Sequence, residues 1–215
     1  MDRDLANQSM EERFTGHYRS GWWFDNGESL SGSGSTLDAT QRIREELVPF
    51  MQKWDVERLL DAPCGDWNWM QHVPLPADVH YLGADIVPDL IEDMRARYSS
   101  ERVEFTQIDI TADPLPQADM MMCRDALFHL SHADIWRFVD NFLGSSIPHL
   151  LTTHMPQIEE NRDIVTGKHR PLNLEAAPFN FEPPVDKFAD FTPPRREKYM
   201  ALWTREQLEK ARAAA

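Results

Sequence analysis

The sequence predicts an α/β fold: a doubly wound, mostly parallel sheet with helices on both faces. Three observations predict it. Short apolar strands alternate with helical patterns from about residue 56 to 154, the βαβ rhythm of parallel sheets. Three successive strands each end on an acid, Asp61, Asp85 and Asp109, at equal intervals along the chain. The first strand also runs straight into a turn, LLDAPCGDW, which contains Pro63 and Gly65. In a parallel sheet all such strand ends share one edge, and that edge is where these sheets bind ligands.

Residues 1–34 are read as a polar, loop-like arm that carries an aromatic cluster of Tyr18, Trp22, Trp23 and Phe24. The cluster reads either as a clasp packed on the domain or as the lining of an acceptor pocket, with the clasp favoured because aromatic burial drives packing strongly. The run SGSGS over 31–35 reads equally as a plain linker or as an amide-rich turn able to cradle an anion. The remaining chain, 35–215, is expected to form one domain.

A helix is expected from near Ser35, with Asp38 in a capping-box position and Ile43, Leu47, Phe50, Met51 and Trp54 on one face. The first strand follows at 56–62, and then a loop with Trp67, Trp69 and Met70. The second strand spans 79–85. Its helix starts at Pro88 and presents Leu90, Ile91, Met94 and Tyr98. The third strand, 103–109, alternates apolar and polar residues. A short proline turn leads to the fourth at 119–124.

Ser131 and Asp134 mark a second capping box, opening a helix with Ile135, Phe138, Val139 and Phe142 on one face. The fifth strand, HLLTTH, ends on His154. Residues 155–197 are rich in proline and poor in periodicity, and are read as an irregular, lid-like excursion. Within it Asn161, Asp163, His169, Arg170 and Asn173 form a polar set, read as an acceptor lid with a basic centre or as a solvated loop. A last strand at 198–203 and a short helix from Arg205 close the chain.

Composition restricts the partners. A net charge of −14 argues against nucleic acid, whose binding calls for a basic face. No apolar run approaches the ~18 residues of a membrane span, and the polar N-terminus does not resemble a signal peptide, so a cytoplasmic protein is expected. Cys64 and Cys123 are read as reduced thiols, since neither belongs to a metal-spaced cluster and two cysteines build no disulfide framework.

The ligand follows from what the loops lack. A dinucleotide fingerprint needs GxGxxG and a Walker loop GxxxxGK[ST], whereas here only Gly65 is present. Carboxylates at three strand ends suit a nucleoside that carries hydroxyls and positive charge.

The stretch DAPCGDW resembles the first motif of the class I S-adenosylmethionine-dependent methyltransferases, an acid followed by glycines at alternating positions. Asp61 and Gly65 match, while Pro63 and Trp67 stand where glycines are common. The resemblance covers about 35–154 and, more weakly, the last strand. It implies a seven-stranded sheet of order 3-2-1-4-5-7-6 and S-adenosylmethionine as cofactor. The loop Asp61, Ala62, Pro63, Cys64 and Gly65 would approach it, and Asp85 with the adjoining Ile86 would hold the ribose. Asp109 and the Ile110 amide would meet the adenine, and Cys123 and Arg124, leading to Asp125, would face the methionine part and the acceptor.

The acceptor is expected to be a small polar molecule, with O-methylation of a sugar or natural product favoured. Candidate bases at the ligand edge are His129 and His154, with Asp125 beside them. Arg124 pairs either with a substrate carboxylate or with an acid of the protein itself. No resident metal is expected, because the spacing of Asp125, His129 and His154 is too loose. A protein that binds the cofactor without transfer, and an NAD-dependent oxidoreductase, remain the alternatives. Oligomeric state is open.

Overall fold

The computed structural model describes residues 7–24 and 27–215; residues 1–6 and 25–26 of the arm lie outside the described residues. Seven strands form one sheet of order β3-β2-β1-β4-β5-β7-β6. They are β1 Arg58–Asp61, β2 His80–Asp85, β3 Val103–Gln107, β4 Met120–Cys123, β5 His149–His154, β6 Asp186–Ala189 and β7 Tyr199–Thr204. The pairings among β1 to β5 are parallel, and β7 runs antiparallel to both β5 and β6.

The helices are α1 Met10–Ser20, α2 Gln41–Lys53, α3 Pro88–Tyr98, α4 His132–Gly144 and α5 Arg205–Ala213. Helices α2 and α3 set Ile43, Leu47, Leu90, Ile91 and Met94 against one sheet face. Helices α4 and α5 cover the other with Ile135, Phe138, Phe142 and Leu208. The central strands are buried on both sides: β4, MMMC, is wholly inaccessible, which explains its continuous apolar run.

Three sequence expectations are corrected. The arm is not loop-like, because α1 forms under a complete capping box between Ser9 and Glu12 and ends on Gly21 in the left-handed region. The second helix starts at Gln41, several residues past Ser35, because Thr36 and not Ser35 organises the entry. The Thr36 hydroxyl accepts from the Ala39 amide, and Ser33–Ser35 form a separate turn of 3-10 helix. Finally, the excursion contains β6 and buries Leu172, Leu174, Phe179 and Phe181, so much of it is core.

Helix α1 lies across the carboxyl edge of the sheet. Phe14 packs against both core clusters, and α1 is tied at three places. Glu11 accepts from the Gln107 amide at 2.9 Å, Arg19 forms a two-pronged pair with Asp89, and His17 Nε2 lies 2.9 Å from the Gly167 carbonyl. The helix therefore bridges the β3 and α3 side of the fold to the excursion.

Mid-sheet, Gly83 faces a crowded partner: a Cβ there would lie 2.7 Å from the Phe105 ring and 3.1 Å from Cys64 Sγ. Its missing side chain lets Phe105, Tyr81 and Tyr98 gather around Trp67, at centroid distances of 5.5, 5.8 and 4.8 Å. Gly83→Ala is expected to destabilise the fold by about 1–3 kcal/mol through overpacking. Urea unfolding checks this, with an unchanged midpoint as the contrary result.

Candidate functional site

The loop after β1 is built by close approach. Gly65 has φ +59°, and a Cβ there would sit 2.4 Å from Ser31 Oγ, so this position favours glycine on two counts. Ser31 Oγ accepts from the Asp66 amide at 2.8 Å, and Asp66 in turn accepts from Ser29 and from the Leu30 amide. The SGSGS run is thus docked on the loop and does not hang as a linker. Farther along the run, Gly34 lies so near Asp125 that a Cβ would meet Oδ2 at 2.9 Å, and its carbonyl accepts from Arg124 Nη2 at 3.0 Å.

Between this loop, α1 and the strand ends lies a cleft. Its walls include Asp61, Pro63, Cys64, Gly65, Asp85, Ile86, Asp109 and Ile110, together with Arg124, Asp125 and His129. Eleven of the fourteen residues singled out from sequence therefore converge on one cavity. The arm contributes Met10, Phe14, Tyr18 and Trp23, which closes the side away from the sheet.

The other three do not line it. Ala62 and Cys123 are wholly buried in the sheet, where the Ala62 amide donates to the Met122 carbonyl and the Cys123 carbonyl accepts from Thr152. His154 is corrected outright as a candidate base. Its Nε2 bonds Glu175 at 2.9 Å, its Nδ1 accepts from the Leu174 amide, and its ring edge meets Trp203. Strand alternation is the reason: His154 points to one sheet face, and its neighbour Thr153 points to the other. Thr153 Oγ1 accepts from the Asp125 amide at 2.8 Å and lies 3.0 Å from Asp125 Oδ1.

The acids differ in environment. Asp61 accepts from the Tyr81 hydroxyl at 2.6 Å, and burial pushes its carboxyl up to about 7 against the pull of Tyr81 and Arg124. Asp85 accepts from the Gly65 and Val87 amides at 3.2 and 3.1 Å, yet burial still raises it to about 6. Asp109 lies just beyond β3, where Oδ1 accepts from the Thr111 amide and hydroxyl in an Asx turn. Apolar Ile86, Leu90, Ile108 and Ile110 flank the space between Asp85 and Asp109.

Asp125, at the end of β4, has φ +51°, a strained value for a non-glycine residue. It is held there by Lys198 Nζ at 2.5 Å and Arg124 Nη1 at 3.4 Å. Burial opposes its charge, but these two cations more than offset that and hold it well below the usual carboxylate range. A carboxylate held so low is a weak proton acceptor, and Asp125 stands beside His129 as a negative charge. Arg124 also pairs with Asp190 at 2.9 Å, and Lys198 reaches Asp190 at 3.1 Å. Arg124 therefore spends its charge on the protein's own acids.

His129 sits on a 3-10 turn, Leu127–His129. Its Nδ1 lies 2.8 Å from the Lys168 carbonyl; a carbonyl only accepts, so Nδ1 carries the proton and Nε2 keeps its lone pair. Burial lowers its pKa to about 4. The ring therefore stays neutral through the physiological range. Arg170 anchors the turn from the excursion by donating to the Leu127 and Leu130 carbonyls.

Of the polar set in the excursion, Asn161, Arg170 and Asn173 are buried scaffolding. Asn161 and Asn173 exchange hydrogen bonds, and Asp163 accepts from the His132 amide. His169 lines an outer cavity that shares Trp23, Asp125 and His129 with the cleft. Sequence reading missed Tyr81, Thr153, Asp190 and Lys198. The alternation along β5 could have found Thr153, but no local signal marks Asp190 or Lys198.

Among the described residues no group of three or more His, Cys, Asp or Glu is arranged to hold a metal, both cysteines are free, and no helix is long and apolar enough to cross a membrane.

No protein-family profile matches the chain, and neither does any curated protein sequence. Solved structures do. Magnesium protoporphyrin IX methyltransferase from Synechocystis PCC 6803, with bound SAM, aligns with a TM-score of 0.63 at 12% identity over 93% of this chain and 99% of that one. The methyltransferase domain of bacterial CtHen1 aligns at 0.57 and 12% identity over 77% of this chain and 99% of that one. Human N-acetylserotonin methyltransferase in complex with SAM aligns at 0.52 and 16% identity over 90% of this chain, which spans only 56% of that one. At such identities the likeness is one of fold. The chain has the class I methyltransferase fold, in the strand order that the sequence resemblance implied.

Burial of Asp61 makes a pH-dependent cost. The folded chain binds this proton more tightly than the unfolded chain, so the stability this group contributes is full below about pH 4 and is lost as pH rises through about 7. Asp61→Asn keeps an acceptor for Tyr81 and removes the cost. Its gain in thermal stability over wild type is expected to grow between about pH 5 and 8, to at most about 4 kcal/mol. A gain that does not vary with pH in scanning calorimetry would contradict the buried-acid assignment.

Proposed function

We propose that the protein transfers a methyl group from S-adenosylmethionine to a small polar acceptor, with O-methylation of a sugar or other hydroxylated natural product favoured. The observation that carries this reading is the convergence of Asp61, Gly65, Asp85 and Asp109 on one cleft at the carboxyl edge of the sheet. The donor set fits the cofactor. Asp85 can accept from a ribose diol, and Asp109 Oδ2 together with the backbone at Ile110 can meet an amino-purine edge. Buried Asp61 gains a favourable counter-charge from a cationic ligand. The loop supplies only Gly65, and no glycine-rich cradle for a diphosphate, which weighs against NAD. Two of the structural relatives above are described with SAM bound, in keeping with this choice.

The cofactor, when bound, supplies a methyl group already activated by its sulfonium. The chain's own task is to hold the acceptor in line and to keep water out, and such positioning is worth on the order of 7–11 kcal/mol. Trp23 and Phe14 stack 6.1 Å apart over the cleft, and α1 closes its outer side. His129 lines the cleft and the outer cavity alike, so an acceptor hydroxyl entering from outside can meet its Nε2 lone pair. It is the candidate general base. Asp125, held ionised, favours the imidazolium formed as the proton arrives.

Calorimetric titration tests the cofactor assignment: S-adenosylhomocysteine is expected to bind and NAD is not, and the opposite pattern would overturn the proposal. Asp85→Ala is expected to weaken that binding by about 10- to 100-fold, the loss of one or two charge-assisted hydrogen bonds. Unchanged affinity would remove the ribose assignment. His129→Gln should leave cofactor affinity intact and slow transfer by about 10² to 10⁴. In wild type the His129 limb of the acidic fall in kcat/KM, absent from His129→Gln, should come near pH 4, where His129 takes up its proton, and not near 6.5.

A further inference from the structure

A belt of rings surrounds the candidate base. From the arm it runs through Trp22, His17 and Trp23, with centroids 5.4 Å apart from Trp22 to His17 and 5.1 Å from His17 to Trp23. Trp23 lies 5.8 Å from His129, and beyond His129 come Phe128 at 4.7 Å and His169 at 5.5 Å. All six line the outer cavity, and Phe191 adds a further ring to its wall. These spacings fall within the ~4.5–7 Å at which aromatic rings attract one another. Trp22 is nonetheless 58% exposed, a large apolar ring left facing water on a cavity wall.

The three imidazoles are part of this uncharged surface. Burial lowers the pKa of His17, His129 and His169 alike, so all three are neutral near neutrality. Two of them are fixed by the backbone, His17 Nε2 against the Gly167 carbonyl and His129 Nδ1 against the Lys168 carbonyl. A group that reaches His129 from the outer cavity therefore lies among the rings of Trp23, Phe128 and His169. The carboxylates on this wall, Asp125 and Asp190, which the several hydroxyls of a sugar would call on, are engaged with Arg124 and Lys198.

The strength of the base points the same way. An imidazole whose pKa is lowered to about 4 is a poor match for an aliphatic hydroxyl, which holds its proton about as tightly as water at ~16, and a closer one for a phenol at ~10. We infer that the acceptor is a phenol: a flat aromatic ring that stacks within the belt formed by Trp22, Trp23, Phe128 and Phe191 and presents its hydroxyl to His129. The inference rests on the methyl-transfer reading and names the substrate class of that site. In the transfer the phenolic oxygen bonds to the methyl carbon, the carbon–sulfur bond breaks with its electron pair left on sulfur, and the phenolic proton passes to His129 Nε2. Trp22 and Phe191 line the outer cavity but not the cleft, so as specificity determinants they act on the acceptor and not on the cofactor.

The test uses the full chain saturated with S-adenosylhomocysteine and two matched pairs, 2-naphthol with decahydro-2-naphthol and para-cresol with 4-methylcyclohexanol, beside methyl glucoside as a sugar. Calorimetry is expected to show the phenol of at least one pair binding about tenfold or more tighter than its saturated partner and than the glucoside. With S-adenosylmethionine in place of the product, that phenol should be converted to its methyl ether. Trp22→Leu and Phe191→Leu should each shrink the phenol's advantage several-fold without altering S-adenosylhomocysteine affinity, and Trp22→Phe should keep most of it. Equal binding within both pairs, no binding by either phenol, a bound phenol that is not methylated, tighter binding of the glucoside or of a short RNA, or an advantage that survives both leucine variants would each overturn the inference. Failure of S-adenosylhomocysteine to bind overturns the methyl-transfer reading itself, a result the first titration separates from the others.

Discussion

A buried knot of four charges at the end of β4 holds this molecule's working parts together. Arg124 and Asp125 leave the strand, Asp190 comes from the segment after β6, and Lys198 from the approach to β7. Arg124 adds a bond to the Gly34 carbonyl, which brings in the arm. The arm, the end of β4 and the segment between β6 and β7, far apart in sequence, are thereby fixed around one point. Two cations and two anions cancel there, so none is left as an uncompensated buried charge, the condition under which such a cluster is tolerable at all. Burial keeps the pairs from being screened, which is why Asp125 remains ionised despite lying away from water.

The knot also divides the space above the sheet. On one side lies the cleft with its raised carboxyls, Asp61 and Asp85, and on the other the outer cavity lined by His17, Trp22, Phe128 and His169. Asp125 and His129 stand on the partition and belong to both. A neutral imidazole stands at that junction.

The strands β1 to β5 and their acid-tipped ends were legible because each is a local pattern. A run such as Met120–Cys123 is short, apolar and bounded by turns, and Asp61, Asp85 and Asp109 stop their strands within a few residues of the observed ends. The loop after β1 was legible for the same reason, since the backbone at Gly65 favours glycine. Where a signal depended on distant partners, reading along the chain failed. The arm was taken for loop because its helix buries little of its own surface and is secured by contacts with Gln107, Asp89 and Gly167. Strand β6 was hidden among prolines because pairing with β7, more than its own composition, makes it a strand. His154 was misplaced by a single residue of alternation.

The sequence by itself determined the α/β class, the order of the elements along β1 to β5, the ligand edge of the sheet, and the acids and the glycine that face it, because strand and turn chemistry act over a few neighbouring residues. The tertiary structure alone decided that Asp125 is held as a negative charge by Arg124 and Lys198, and that His129 keeps a lone pair on Nε2 while both ring nitrogens of His154 are engaged. Those outcomes depend on which distant groups share a low-dielectric space, and charge and protonation there are set by neighbours that the chain brings together only when it folds.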